Sequence, residues 1–243
     1  MQAIILAAGL SKRLRPLTDA TPKCLLKVGE KTILEMTINN ILKSGINSFV
    51  LVTGYRENMI KEFVTSKYPG LDIKYLTNSD YENNNNSYSL WMTKDYISGD
   101  SILLDSDILF DYRIISKLLA SEHKNCLAVN SNHKLGEEEI KVIVDSTNKI
   151  LHIGKDPDPA KSQGESIGIE RFSHDFFIKL GEVLDRKIIK EQNVNEFYEV
   201  SFQELIKKGN GIFAVDVSEY RSMEIDTPAD LERAVSEIKD ITI

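Results

Sequence analysis

The sequence predicts an α/β protein whose central sheet is flanked by helices, and three observations support this prediction. Residues 3–8 form an unbroken apolar run, which is too short for a membrane helix and typical of a buried central strand. Up to about residue 130, helical patterns alternate with apolar strands at a spacing of about thirty residues, as in a parallel sheet with right-handed crossovers. After residue 131, short strands and polar turns predict a smaller β-rich part.

Local signals mark the ends of the predicted elements. The first helix starts at a capping box formed by Thr32 and Glu35 and ends at Gly45. The last helix has Thr227 as its N-cap and Pro228 at its first position. The patterns between them predict strand 49–53, helix 56–67, strands 73–77 and 101–110, helix 112–121, strand 126–130, a hairpin of 139–144 with 150–153, strand 166–170, a helix from 195, strand 212–217 and the last helix over 228–238.

Composition and charge exclude several classes of protein. A chain of 243 residues is long enough for one large α/β domain, and a net charge of −7 argues against a general nucleic-acid binder. Cys24 and Cys126 match no zinc or redox spacing, so reduced cysteines and a cytoplasmic protein are expected. The sequence carries no signal-peptide pattern and no predicted membrane span, and no further domain is expected after the last helix.

The segment that follows the first strand predicts a site for a polyanion. Gly9 opens a turn, and the residues up to Lys23 concentrate cations, hydroxyl groups and prolines. A phosphate chain is bound by free backbone N–H groups together with arginine and lysine. The alternative is a solvated basic loop. The polar side chains of this segment are Ser11, Arg13, Arg15, Thr18, Thr21 and Lys23, and its prolines are Pro16 and Pro22.

Two other stretches place carboxylates where a metal site is expected. Asp105 and Asp107 follow an apolar strand, and an open α/β sheet forms its site at the carboxyl ends of such strands. Mg²⁺ prefers one or two carboxylates together with phosphate oxygens, whereas a strand-end turn is the alternative. Near the C-terminus, capping explains Thr227 but leaves Glu224 and Asp226 without a structural role.

Four successive asparagines, residues 83–86, precede a predicted helix that contains Leu90 and Trp91. One interpretation is a polar loop capped by Ser87, with Leu90 and Trp91 in the core. The other is recognition of a pyrimidine, because amide side chains offer paired donors and acceptors.

Three motifs resemble those of the sugar-phosphate nucleotidyltransferase superfamily. Leu-Ala-Ala-Gly-Leu-Ser-Lys-Arg at 6–13, followed by Pro-Leu-Thr and Pro-Lys, is similar to its phosphate signature, and Glu-Ile-Asp-Thr at 224–227 to its second motif. The asparagine run with Ser-Leu-Trp resembles the branch that acts on phosphocholine and aminoethylphosphonate. The resemblance implies a single Rossmann-like, GT-A-type domain over 1–243 with a mixed sheet. A nucleotide-binding half is implied for about 1–130, an acceptor-binding part for about 131–222, and the metal aspartate with the final helix for 223–243.

The resemblance also implies roles for individual residues. Lys23 and Arg13 would act on the reacting phosphates, and Asp107 and Asp226 would bind Mg²⁺. Ser11 departs from the pattern, because many relatives have a second glycine there. The implied nucleotide-binding residues are Leu6, Ala8, Gly9, Leu10, Ser11, Asn84, Asn85, Asn86, Ser87 and Asp105, and the implied acceptor-binding residues are Asp111, Lys155, Glu170, Tyr198 and Glu199.

The implied reaction is transfer of CMP from CTP to a small phosphorylated or phosphonylated acceptor such as phosphocholine, with release of pyrophosphate, as in modification of cell-surface polysaccharides or lipids. Alternatives are uridylyl or thymidylyl transfer to a sugar 1-phosphate, a GT-A glycosyltransferase and a non-catalytic ligand sensor. Trp91, Tyr198 and Tyr220 are available for an ammonium cage but are scattered in the sequence. The oligomeric state stays open, with a homodimer as one option.

Overall fold

A computed structural model of the chain describes residues 1–132 and 135–238. Its strands are β1 (Gln2–Ala7), β2 (Lys27–Val28), β3 (Lys31–Thr32), β4 (Ser48–Thr53), β5 (Asp72–Thr77), β6 (Ser101–Asp105), β7 (Ile108–Phe110), β8 (Cys126–Asn130), β9 (Lys141–Val144), β10 (Ile150–Gly154), β11 (Gly164–Phe172), β12 (Phe213–Asp216) and β13 (Ser222–Glu224). Its α-helices are α1 (Ile33–Lys43), α2 (Glu57–Lys67), α3 (Asn86–Met92), α4 (Arg113–Ala120), α5 (His174–Asp185), α6 (Glu199–Lys207) and α7 (Pro228–Glu237).

The main sheet is mixed, which confirms the predicted fold class. Its central path runs β10-β9-β11-β6-β1-β4-β5, and β8 joins it beside β11 with β12 at its outer side. The strands β6, β1, β4 and β5 are parallel, as the alternation of strands and helices predicts. The antiparallel strand β11 then joins this parallel part to the β-rich part of the chain.

Helices cover the sheet on both faces, because successive side chains of a buried strand point to opposite sides. In β1, Ile4 and Leu6 pack in one apolar cluster with residues of α5 and α6, whereas Ala3 and Ile5 pack in the other with residues of α1 and α4. The continuous apolar run at the start of the chain is thus explained by burial on both faces.

A third and smaller apolar cluster fixes the loop that follows β1. Leu14 of this loop is fully buried against Ile33 of α1, Leu109 of β7, Ile225 and Ala234 of α7. The N-terminal loop and the C-terminal helix are therefore held at the same edge of the sheet, although they are far apart in the sequence.

Three element predictions are corrected by the structure. The strand predicted over 101–110 is broken at Ser106–Asp107, because β6 pairs with β1 whereas β7 pairs with β13 in a separate ladder. The helix predicted from 195 begins only at Glu199. Asn85, and not Ser87, is the N-cap of α3, since its side chain accepts a hydrogen bond from Asn86 N.

The caps of two helices agree with their predictions, whereas one helix was not predicted. Thr32 and Thr227 cap α1 and α7 as predicted, and Asp230 completes the capping box of α7. The helix α5 was not predicted, although Ser173 caps it and its apolar residues follow a helical spacing. The predicted C-terminal region extends to residues 239–243, which lie outside the described residues. Within the described chain, no helix combines the length and apolar character needed to cross a membrane.

Candidate active site

A cavity of about 930 Å³ opens at the carboxyl ends of the parallel strands. The register of β1 and β6 places Leu6 opposite Asp105, so the turn after each strand lines the same cavity. This is the position at which open α/β sheets bind their ligands. The two segments predicted to bind phosphates and metal are therefore brought together.

The N-terminal loop is held in place by hydrogen bonds to its backbone. Tyr55 N donates to Ala8 O at 3.0 Å, and the Tyr55 hydroxyl donates to carbonyl oxygens of the loop at Thr18 and Asp19. Ser11 lies in the left-handed region with φ of 48°, and its carbonyl accepts a hydrogen bond from the Thr18 hydroxyl. Glycine adopts this conformation most readily, so the backbone here suits the second glycine of the motif that this segment resembles.

Lys23 lies between two carboxylates on the floor of the cavity. Its Nζ is 2.9 Å from Asp107 Oδ2 and 2.6 Å from Asp226 Oδ1, and the side chain is only 7% exposed. The guanidinium of Arg13 donates to the other oxygen of Asp226. Two cations of the N-terminal loop thus form one network with Asp107 and with Asp226, which lies near the C-terminus.

Glu224 adds a third carboxylate to this network. Oxygens of Asp107, Glu224 and Asp226 all lie within 4.8 Å of one another. The pairing of β7 with β13 causes this, because Ile108 lies opposite Glu224 and Ile225 N donates to Asp107 O. Three oxygen ligands at this spacing fit a hard divalent cation such as Mg²⁺.

The charges of the network shift several pKa values. Burial alone would lower the pKa of Lys23, but Asp107 and Asp226 outweigh it and raise that pKa above its ordinary value. Burial would raise the pKa of Asp226, yet the nearby Lys23 and Arg13 hold it below its usual range. Burial, together with repulsion from both aspartates, raises the pKa of Glu224 to about 8.

The asparagines that line the cavity also make structural bonds. Asn84 and Asn78 exchange amide hydrogen bonds of 2.8 and 3.1 Å, and Asn84 Nδ2 donates to Asp80 O. Asn85 caps α3, and Asn86 Oδ1 accepts from Tyr198 N at 3.0 Å. These bonds fix where each amide points, and the position of Asn78 was not predicted from the sequence.

A buried group of acidic residues forms a wall that lies next to the asparagines, since Tyr198 of this group donates its backbone N–H to Asn86. The Tyr198 hydroxyl donates to Asp105 Oδ2 at 2.8 Å, and Glu170 and Glu199 lie beside them. Burial, followed by the charges of Asp105 and Glu199, raises the pKa of Glu170 well above its ordinary value. Burial raises the pKa of Glu199 to about 7.

Gly168 permits this close arrangement. It adopts a φ of 70° where the register of β11 shifts between Ser166 and Glu170. A Cβ at this position would lie 2.9 Å from Asp105 Oδ2 and from Ile108 Cδ1, which is too close for a side chain. The glycine therefore lets β11 approach the end of β6.

The raised pKa of Glu199 leads to a prediction about stability. Between its unfolded pKa near 4.5 and its folded pKa near 7, the unfolded state releases this proton first, so stability falls as the pH rises through this window. Glu199→Gln removes this loss, and we expect the variant to be more stable than the parent at pH 8.5 by up to about 3 kcal/mol. The difference should shrink at pH 5, as measured by urea unfolding.

Glu204→Gln is the matched control, because Glu204 lies on the same helix and pairs with Arg186 and Lys208 near the surface. The pKa of Glu204 is lowered although burial opposes the shift, so the control should gain no stability at high pH. If Glu199→Gln and the parent were equally stable at pH 8.5, burial of the Glu199 carboxylate would not destabilise the folded protein, which would contradict the raised pKa.

The structure brings together most of the residues implied by the resemblance. Asp111 is not among the lining residues, because it is buried directly after β7 and accepts hydrogen bonds from Arg113. Leu10 and Ser87 are not among the lining residues, and Glu170 and Tyr198 lie behind the wall. The implied residues that line the cavity are Leu6, Ala8, Gly9, Ser11, Arg13, Lys23, Asn84, Asn85, Asn86, Asp105, Asp107, Lys155, Glu199 and Asp226.

The three aromatic residues considered for an ammonium cage are not among the described residues that line the cavity. The Trp91 indole N–H donates to Asp185 Oδ1 at 2.7 Å, away from the lining residues. The Tyr220 ring is covered by the cationic groups of Arg113 and Lys117, and the Tyr198 ring packs against Phe202 in the core. The three rings therefore lie in three different surroundings.

Known proteins resemble this chain over most of its length. The family model described as nucleotidyl transferase matches residues 2–241. The chain is 30% identical to a CTP:phosphoglutamine cytidylyltransferase of Campylobacter jejuni, with 96% of this chain and 98% of that protein covered. It is 29% identical to a choline-phosphate cytidylyltransferase of Streptococcus pneumoniae, with 92% and 97% covered.

A solved structure shares the fold. The CTP:phosphocholine cytidylyltransferase from Streptococcus pneumoniae superimposes with a TM-score of 0.79 at 24% identity, and 98% of each chain is covered.

Proposed function

This chain belongs to the nucleotidyl transferase family, and from that premise we propose that it transfers CMP from CTP to a small phosphorylated or phosphonylated acceptor, releasing pyrophosphate. The observation that carries the proposal is the position of Lys23 between Asp107 and Asp226, in the cavity that the Gly9 turn lines. This arrangement combines a phosphate-binding loop, a buried cation and a carboxylate group suited to a metal ion.

The nucleotide is assigned to the side of the cavity formed by β1 and the asparagines. Gly9 and Ser11 would offer backbone groups to the phosphates, and Leu6, Ala8 and Leu10 belong to the same strand and turn. Asn84, Asn85 and Asn86 would contact the base through the donors and acceptors that their structural bonds leave available. Ser87 and Asp105 complete the proposed set, with Ser87 supporting the start of α3.

Asp107, Asp226 and Glu224 are the residues proposed to hold Mg²⁺, because their oxygens lie within 4.8 Å of one another. When bound there, the ion would neutralise charge on the triphosphate and polarise its α-phosphate. Lys23 and Arg13 would bind phosphate oxygens and offset the negative charge that develops as pyrophosphate leaves.

In the proposed reaction, an oxygen of the acceptor's phosphate or phosphonate attacks the α-phosphorus of CTP. The new bond joins that oxygen to the α-phosphorus, and the bond from the α-phosphorus to the bridging oxygen of pyrophosphate breaks. The attacking oxygen is already anionic, so the protein needs to orient the reactants and balance charge rather than supply a covalent intermediate.

The acceptor is assigned to the side formed by β11 and α6. Lys155 lies at the mouth, where its Nζ is 2.8 Å from Glu138 Oε2 and 4.8 Å from the centre of the Phe197 ring. This ammonium could exchange Glu138 for an acceptor phosphate. Glu199, with Glu170 and Tyr198 behind it, would face the rest of the acceptor. Asp111 is buried directly after β7 and paired with Arg113, which does not support its assignment to the acceptor.

Several finer statements stay proposals of the same kind. They are Mg²⁺ as the physiological ion, a cytoplasmic enzyme, a possible homodimer, and use of the CMP-activated product in modifying cell-surface polysaccharides or lipids. A nucleic-acid substrate is not proposed, because the net charge is −7.

The proposal is tested with the purified chain, Mg²⁺ and each of CTP, UTP, dTTP and ATP. Acceptors are phosphocholine, phosphoethanolamine, 2-aminoethylphosphonate, a phosphorylated amide and glucose 1-phosphate, and the readout is pyrophosphate release. We expect activity with CTP and one of the non-sugar acceptors. Activity confined to glucose 1-phosphate with UTP or dTTP would replace the proposal by its sugar-phosphate alternative, and transfer without pyrophosphate would indicate a different reaction class.

A further inference from the structure

Two buried carboxylates in the acceptor wall have an oxygen left without a partner. Glu170 Oε2 and Glu199 Oε2 make no hydrogen bond to any residue in 1–132 or 135–238. Glu170 is 1% exposed and Glu199 is 7% exposed, yet Glu199 lines the cavity. A buried carboxylate oxygen without a partner is costly, so this pair points to a ligand that supplies hydrogen-bond donors.

The same wall is poor in donors of its own. Among the described residues of this wall, the side-chain donor is the Tyr198 hydroxyl, which already donates to Asp105 Oδ2. Lys155 lies within electrostatic range of Glu199 but contacts Glu138 and the Phe197 ring instead. The wall is therefore an array of acceptors that a cation with several N–H groups would satisfy.

Among the described residues that line the cavity, two are aromatic, Phe197 and Tyr81, which is few for an aromatic cage. Phe197 lines the mouth, but the ammonium of Lys155 already lies over its ring. Tyr81 lines the cavity on the asparagine side, where it packs against Tyr55. A quaternary ammonium has no N–H donor and depends on aromatic faces, whereas a primary ammonium carries three donors.

We propose that this wall is a subsite for a primary ammonium group, so that the acceptor is an aminoalkyl phosphate or phosphonate and not its trimethylated counterpart. Glu199, which lines the cavity, would accept an N–H group, and the neighbouring Asp105 and the more deeply buried Glu170 would add acidic groups beside and behind it. This inference rests on the proposed function, because it identifies the second substrate of that reaction.

The test is a methylation series assayed with CTP and Mg²⁺ at pH 7.5. The acceptors are phosphoethanolamine, its N-methyl and N,N-dimethyl derivatives, phosphocholine, and ethyl phosphate as the neutral control. Each methyl group removes one donor and keeps the charge. We expect kcat/KM to fall with every methyl group and to be at least about 100-fold lower for phosphocholine than for phosphoethanolamine. Equal or better use of phosphocholine, or of ethyl phosphate, would overturn the inference while leaving the proposed function intact.

A matched pair of variants connects the preference to the wall. Glu199→Gln should raise KM for phosphoethanolamine at least about tenfold, change kcat less, and reduce the preference over phosphocholine. Glu204→Gln makes the same chemical change on the same helix outside the cavity, and it should keep the parent's preference. A Glu199→Gln variant with the parent's full preference would overturn the assignment.

Binding measurements separate failure of the inference from failure of the proposed function. Titration calorimetry of phosphoethanolamine and of phosphocholine into the parent needs no turnover. If no triphosphate yields pyrophosphate with any acceptor, the proposed function fails, and selective binding of phosphoethanolamine would still support the subsite. If phosphoethanolamine binds no more tightly than ethyl phosphate, the subsite is rejected.

Discussion

Replacing Lys23 with methionine is expected to lower kcat by about a thousandfold while the fold stays intact. Methionine keeps most of the length of the side chain but removes the ammonium that is bonded to Asp107 and Asp226. In the proposed reaction this cation offsets charge on the phosphates, and loss of one such buried group typically costs about 10² to 10³ in rate. Pyrophosphate release under saturating CTP measures the effect.

The control for this variant is Lys27→Met, because Lys27 is an exposed lysine on β2 outside the cavity. It should retain the parent's kcat. Circular dichroism and urea unfolding should show a folded Lys23→Met protein. A folded variant with near-normal kcat would remove Lys23 from the proposed machinery.

A second consequence of Lys23→Met separates its two possible roles. Without the ammonium, the three carboxylates lose their main counter-charge and repel one another. The variant should therefore bind Mn²⁺ at least as tightly as the parent when free ion is counted by electron paramagnetic resonance. Weaker Mn²⁺ binding would indicate that Lys23 mainly orients the aspartates, instead of acting on phosphates.

The sequence predicts those parts of the fold that depend on local pattern. The buried strand at 3–8 and the caps at Thr32 and Thr227 are local signals, and the structure contains all three. Of the capping box predicted for Thr32 and Glu35, the described residues show the bond from Glu35 N to the Thr32 hydroxyl oxygen. The break in the strand predicted over 101–110 depends instead on which partner each half pairs with. That partner, β13, lies more than one hundred residues away, so the pattern within 101–110 could not show it.

The asparagine run shows a similar limit. Any of several neighbouring residues can cap a helix, and the local sequence does not choose among them. The choice of Asn85 fits the tertiary bond from Tyr198 N to Asn86 Oδ1, which fixes α3 against the start of α6. The same hydrogen bond involves Tyr198, which directly precedes the first residue of α6, Glu199.

Some residues of the candidate site could be identified from the sequence, and others only from the tertiary structure. Resemblance pointed to Lys23, Asp107 and Asp226, and the structure places them in one hydrogen-bonded network. The closeness of Glu170 to Glu199 could not be predicted, because it requires the bulge at Gly168 and the packing of α6 against β10 of the same sheet. The tertiary structure was therefore needed to show that these two glutamates form one acidic group.

The largest effect expected from the acidic residues concerns Asp107. Asp107→Asn should weaken Mn²⁺ binding by about 10- to 100-fold and lower kcat/KM at limiting Mg²⁺ by at least as much. The reason is that asparagine keeps the shape of the side chain but removes a charged ligand from a group of three. Asp111→Asn is a control for the chemical change, since Asp111 pairs with Arg113 and is not among the described residues that line the cavity.

Glu224 makes the same site dependent on pH in a defined direction. Burial and the charges of Asp107 and Asp226 raise its pKa to about 8, so the carboxyl keeps its proton at pH 6.5 and loses it by about pH 9. A metal ion competes with that proton, so Mn²⁺ affinity should rise with pH by up to about tenfold per unit below pH 8. Glu224→Gln should abolish this rise, whereas Asp107→Asn should weaken binding at every pH. An unchanged pH profile in Glu224→Gln would show that Glu224 does not take part, and that the proposed ion is held by the two aspartates alone.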